Sequence, residues 1–324
     1  MNRKETMREA KREQTLQQPV TESNRNKNLL EILGADTVCW LLSFSAEQLR
    51  LVFTENRDLM NYLLNNTGKL SGVSRREFRG LVQRVNEYAG EIIPTNCGYP
   101  LRYSPNSLAN QLKTLLDFYP GLDSEHIKEY YVYVTKPNIP RHAELLQITP
   151  KLSSIARIFQ ISDPYGAGYG ECLKILLGNI QKSQDFKNYC TNGFSSNHAR
   201  LLAESRDWLE KAENSIPGDF IAIPMQSGED WGGYSTRNAR QSMEMEGQIP
   251  LPAWVAGHHL LTHPERETRQ NQLHIVCGGD EYSQSADGEF DSTLCFYYQF
   301  DHLIICDYQI DIANEFRGSA SAIS

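Results

Sequence analysis

No lysine occurs after Lys211 in this 324-residue chain, although acids and arginines continue to its end. From Gly218 onward 16 acidic residues stand against five arginines, whereas the residues before it hold 24 acids and 27 bases. The whole carries a formal charge of −8. Such a surface is repelled by phosphate backbones and anionic headgroups, which disfavours nonspecific nucleic-acid or lipid binding. The change of balance at Pro217-Gly218, a turn-forming pair, marks an expected seam between two regions.

Other absences narrow the choice further. No segment approaches the roughly 20 apolar residues that cross a bilayer, and the richest early run, 38–44, is far too short, so no membrane partner is expected. Charges of both signs fill the first 13 residues with no apolar stretch behind them, so no secretory signal is expected and the reading is cytoplasmic. The seven cysteines are odd in number and never form a C-x-x-C pair, which excludes a zinc ribbon and a disulfide framework and leaves buried free thiols. There is no G-x-S-x-G elbow, no G-K-S/T after a glycine loop and no H-E-x-x-H.

What is present is enough for a core. Apolar residues make up 40% of the chain, well above solvating disordered sequences, and the length exceeds the roughly 100–200 residues of one typical domain. Residues 1–27 lack apolar periodicity and read as a disordered basic tail. Residues 28–217 read as mainly helical, with apolar residues at helical spacing over 28–90, a helix over 107–118 stopped by Pro120-Gly121, and helices over 171–181 and 196–214. A short strand is expected over 130–135, and 153–161 fits either state. Residues 218–324 read as an acidic α+β region: strands over 220–225, 273–277, 294–300 and 303–308, helices over 235–244 and 251–262, and a tight turn at Asp301-His302. The fold class expected is α+β, a mostly helical N-terminal part followed by mixed helix and antiparallel strand.

Four constellations bear on chemistry. Gly166, Gly168 and Gly170 precede a helix, where bare N–H groups could cradle phosphate, but Glu171 occupies the place of the last glycine in the dinucleotide fingerprint and would repel an anion; a helix-entry loop is the plainer reading. Five of eight histidines fall between His258 and His302, and His259 and His263 lie one helical turn apart, as zinc ligands do. A third ligand would come from His274, Asp280 or Glu281. The stretch from Asp280-Glu281 to Asp291 has oxygens for calcium, yet aligning Asp287-Gly288 to an EF-hand puts Leu294 at the bidentate position, so an acidic loop is expected. His274 and Cys277, three apart on a strand, face opposite ways and cannot act as a nucleophile and base pair.

These features point to a noncatalytic binding or regulatory protein that recognises a protein partner or small-molecule ligand, with no cofactor and no metal. The alternative is a metal-dependent hydrolase with His259 and His263 as ligands and Glu265 or Glu281 as general base. The candidate site comprises His259, His263, Glu265, His274, Asp280 and Glu281. A nucleic-acid role would rest on the basic tail and Arg75, Arg76, Arg79 and Arg84, which an ordinary charged helix face explains equally well.

Overall fold

Ser107 opens the first helix, α1 (Leu108–Phe118), by accepting the Asn110 N–H at 3.3 Å, and Pro120 closes the chain to further helix. The computed structural model describes residues 86–101, 103–129, 139–140 and 143–323, all within the compact unit Asn86–Ser324. The expected tail, the helices before residue 86 and the strand over 130–135 lie outside the described residues.

After α1 come β1 (Leu145–Pro150), α2 (Leu152–Phe159), α3 (Tyr169–Ser183), β2 (Phe186–Asn188), β3 (Ala199–Leu201), α4 (Ala203–Ser215) and β4 (Phe220–Gln226). Then follow α5 (Thr236–Met245), β5 (Ile249–Pro250), α6 (Ala253–Thr262), β6 (His274–Tyr282), β7 (Ser292–Gln299), β8 (His302–Gln309), β9 (Arg317–Ser319) and β10 (Ser321–Ala322). The class is α+β. Two sheets form, one in the order β1-β4-β10-β5 and one in the order β2-β8-β7-β6-β3, with β9 alongside β6.

Strands from both sides of Pro217-Gly218 share the first sheet: β1 pairs antiparallel with β4 from Leu145↔Met225 to Pro150↔Phe220. The charge seam is therefore a change of surface composition and not a gap in the packing. β1 is an edge strand buried along its whole length, and α1 covers its free side. The Gln111 amide stands in for a neighbouring strand, donating to the Leu146 carbonyl at 3.0 Å and accepting from the Ile148 N–H at 2.9 Å. Otherwise both backbone groups would be buried without partners.

The ambiguous 153–161 segment is helical as α2. Its N-terminus has no cap of its own, and Glu213 of α4 accepts the Leu152 N–H at 2.8 Å, the Ser153 N–H at 3.2 Å and the Ser153 hydroxyl at 2.8 Å. The glycine run is a helix-entry loop: a Cβ on Gly170 would lie 1.4 Å from the Phe194 carbonyl oxygen, so close backbone approach fixes glycine there. The helix expected over 196–214 begins later, because Ala199–Leu201 pairs with β6 as β3. The β7–β8 turn is centred on Phe300 and Asp301, with φ of 52° and 63°, one residue before its expected place. His302 instead opens β8, where it pairs with Gln299 and its ring meets Asp185 at 2.9 Å.

Helix α6 lies at the centre. All ten of its residues are buried, as a helix apolar on every side requires, and it packs on α1, α3, β1 and the inner face of β6 and β7. That inner face supplies Ile275, Cys277, Leu294 and Phe296 to the core. The six described cysteines are all free thiols, four of them buried.

Candidate functional site

The N-terminus of α6 follows Pro252, which offers no capping side chain. Asp280 of β6 takes that place: one carboxyl oxygen accepts the Ala253 N–H at 2.6 Å and the other accepts the Tyr169 hydroxyl at 2.6 Å. The register of β6 against β7 is irregular between Cys277 and Tyr282, and Arg240 clamps that irregularity by donating to the Gly278 carbonyl at 2.8 Å and the Asp280 carbonyl at 2.5 Å. Burial pushes the Asp280 carboxyl up to about 7, while Tyr169, the Ala253 N–H and Arg240 pull the other way.

Three imidazoles project from the rest of α6 and its C-cap. His258 Nδ1 faces the Trp254 carbonyl at 2.6 Å, His259 Nδ1 faces Gln147 Oε1 at 3.0 Å, and His263 Nδ1 faces Thr262 Oγ1 at 2.9 Å and the His259 carbonyl at 3.2 Å. The carbonyl and amide acceptors assign the proton to Nδ1 in each ring, leaving Nε2 as the lone pair. The Tyr119 hydroxyl, 3.0 Å away, supplies a donor to His258 Nε2, and the Asn106 N–H donates to His263 Nε2 at 2.8 Å. His259 Nε2 meets only the Tyr103 hydroxyl, at 3.3 Å, and that hydroxyl gives its proton to Glu144 in a short contact. Burial holds His258 at about 3 and His263 at about 4, and holds His259 well below the usual range, with the neighbouring His263 and Arg266 adding to the effect.

Glu144 links this group to a second one. Its other oxygen accepts both the Ser227 N–H and the Ser227 hydroxyl at 2.9 Å. Arg266, fully buried, donates to Ser227 Oγ at 3.0 Å, the Ser227 carbonyl at 3.1 Å, Glu267 at 2.9 Å and the Leu273 carbonyl at 2.9 Å. The Tyr99 ring stacks on its guanidinium at 4.0 Å. Burial pushes Glu267 up to about 8 against the pull of Arg266. Ser227 is fully buried, and its hydroxyl donates to Glu144 while accepting from Arg266, an arrangement that anchors rather than attacks. In sum the network ties the 99–106 segment to α6 and β4.

Only part of the site expected from sequence comes together. His259 and His263 stack with ring centroids 4.5 Å apart. Asp280 sits at the start of α6 and His263 at its end, about 15 Å apart along a ten-residue helix. Asp280 and Glu281 belong to β6 and not to the acidic loop that was expected to hold them. Glu281 pairs with Arg200 at 2.7 Å, Glu265 is half-buried on the single turn after α6, and His274 lies on the outer face of the second sheet. Among the described residues no three His, Cys, Asp or Glu side chains gather as a ligand set. Sequence reasoning missed Tyr103, Glu144, Gln147 and Arg266, and weighed Ser227 only as a nucleophile that Met225 and Glu229 put out of pattern; Arg266, one of five arginines in a lysine-free stretch, is the one signal that could have drawn attention.

Comparison with family models, curated proteins and solved structures finds no match. A polar cavity of about 350 Å³ opens at the end of the second sheet, lined by Ser283, Ser292, Glu289, Asp291, Asp307 and Tyr308 among others, with no basic side chain in its wall.

Buried neutral imidazoles make stability depend on acid. His258, His259, His263 and His274 have folded values depressed below about 6.5, so their contribution is complete above that pH and lost as pH falls toward about 4. Asp280 and Glu267, raised in the fold, act in the opposite sense, losing their contribution as pH rises through about 7 and about 8. Four imidazoles outweigh these two carboxyls and Glu213, which burial also raises. Between about pH 6.5 and about pH 4.5 the unfolding free energy is expected to drop on the order of 3 kcal/mol, as read from urea titrations; a flat or rising profile would show that these rings are charged in the fold.

Proposed function

We propose that the protein acts by binding, without chemistry of its own, and recognises a protein partner or a small-molecule ligand. The observation that carries this reading is the use to which the polar cluster is put. The Ser227 hydroxyl, the Arg266 guanidinium and two of the three imidazole lone pairs are engaged in holding α6, β4 and the 99–106 segment together. Groups spent on such contacts are poorly placed to attack, or to take up a metal. For a small ligand, the cavity beside Asp307 offers carboxylates and hydroxyls, a lining suited to an amine or another cationic polar molecule. Among the described residues no helix is long and apolar enough to cross a membrane, in keeping with a partner reached from water.

The alternative, a metal-dependent hydrolase using His259 and His263, has one observation in its favour: His259 Nε2 lacks a donor of its own, since the Tyr103 proton goes to Glu144. Against it stands the separation of Asp280, Glu281 and His274 from that ring pair.

Thermal unfolding of the full chain with spermidine, at low and high salt, tests the binding reading, together with a hydrolase substrate screen and metal analysis. A salt-sensitive stabilisation that Asp307→Asn removes, with no turnover, is the expected result. Turnover that His259→Gln abolishes, or a stoichiometric metal that this variant loses, would overturn it.

A further inference from the structure

The outer face of the second sheet carries a cation with no carboxylate opposite it among the described residues. Parallel pairing of β9 with β6 sets Arg317 directly beside His274, and both side chains fall on the same face. Antiparallel pairing of β6 with β7 continues the row to Tyr297, whose ring lies against His274 with centroids 5.1 Å apart. Phe316 stacks on the His274 ring at 6.1 Å. The Arg317 guanidinium reaches across to the Tyr308 ring, 2.9 Å from its centroid.

The donors in this row are idle. Nε and Nη1 of Arg317 and both ring nitrogens of His274 are enclosed without a hydrogen-bond partner. The Gln270 backbone faces the His274 ring without reaching bonding geometry. The groups facing the guanidinium are the thiols of Cys295 and Cys306 and the ring of Tyr297, which are weak or neutral acceptors. No carboxylate among the described residues forms an ion pair with Arg317. An enclosed guanidinium whose acceptor is only the weak Cys295 thiol is costly in any protein, and more notable in one that carries −8 overall.

We propose that Arg317 and His274 form a binding site for a small oxyanion, a phosphate or carboxylate group of a small molecule, held by the guanidinium and the imidazole between the rings of Tyr297 and Tyr308. The planar guanidinium offers the two parallel N–H bonds that such a group accepts, and the imidazole adds a third donor whose hydrogen bond strengthens on taking up a proton. The flanking rings suit a flat organic body carrying the anion. Burial and the neighbouring Arg317 charge hold His274 at about 4, so the ring is neutral before an anion arrives and gains a proton when one does. Tyr308 also lines the Asp307 cavity, but the oxyanion site does not depend on the binding function proposed above.

The test is thermal unfolding of the full chain in sodium phosphate, phenyl phosphate and sodium acetate, each against sodium chloride of equal ionic strength. The imidazole resonances are followed by NMR in the same titrations. Stabilisation is expected to follow ligand concentration, reaching about 2–4 °C at roughly five times the dissociation constant read from the titration. The His274 resonance should move as its pKa rises. Phosphate acting while acetate fails would assign the phosphoryl group, and the reverse would assign the carboxylate. Arg317→Met keeps the stem over Tyr308 and should abolish both responses. If that variant does not fold, the His274 resonance of the unaltered protein still decides. No anion-specific stabilisation, a stationary His274 resonance, or an equal response in Arg317→Met would each overturn the site.

Discussion

Truncating Arg266 to alanine is expected to lower the unfolding free energy by about 3–5 kcal/mol, since each buried acceptor left without its donor costs about 1–3 kcal/mol. Four acceptors lose their donor together: Ser227 Oγ, the Ser227 and Leu273 carbonyls and Glu267. Tyr99 loses the plane it stacks on, so the 99–106 segment loosens from the core. Lysine restores the charge but not the planar fork, and should recover only part of the loss. The readout is a urea midpoint that falls while the slope of the transition stays constant. A loss below about 1 kcal/mol would place Arg266 in the class of surface pairs and undo its role as an anchor.

The second large effect is expected at Asp280. Asp280→Ala removes the acceptor for the Ala253 N–H at the start of α6 and for the enclosed Tyr169 hydroxyl, a cost of about 2–4 kcal/mol from a lost cap and a stranded donor. The penalty should itself vary with pH. The folded value is raised, so the stability this carboxyl contributes is complete at low pH and diminishes as pH rises through about 7. The variant should therefore differ from the parent more at about pH 5.5 than at about pH 8. A penalty that grows with pH would mean that the hydrogen bonds, and not burial, govern the carboxyl.

Local chemistry was legible in the sequence and distant chemistry was not. The helices over 107–118 and 235–244 were legible because their residues lie within a few positions of each other, and the structure adds Ser107 and Ser235 as their caps. Short runs of apolar and aromatic residues announced β7 and β8 for the same reason. β3 was hidden because three residues of strand leave no periodicity, and only the presence of β6 beside them makes them one. The strand irregularity that turns Asp280 toward α6 was marked only by the pair Gly278-Gly279, which the sequence reading did not use. Glu144 meets Ser227 across 83 residues and Tyr103 meets His259 across 156, distances over which spacing carries no information. His259 and His263 were visible as a pair, but what occupies their nitrogens was not.

Residues 317–322 complete both sheets: β10 fills the slot between β4 and β5, and β9 runs beside β6. During synthesis that slot stays vacant until these late residues leave the ribosome, exposing the edges of β4 and β5 in the meantime. Closure of the two layers thus waits on this one short stretch, and a chain cut before Arg317 would leave the edges of β4 and β5 open to pairing with other chains.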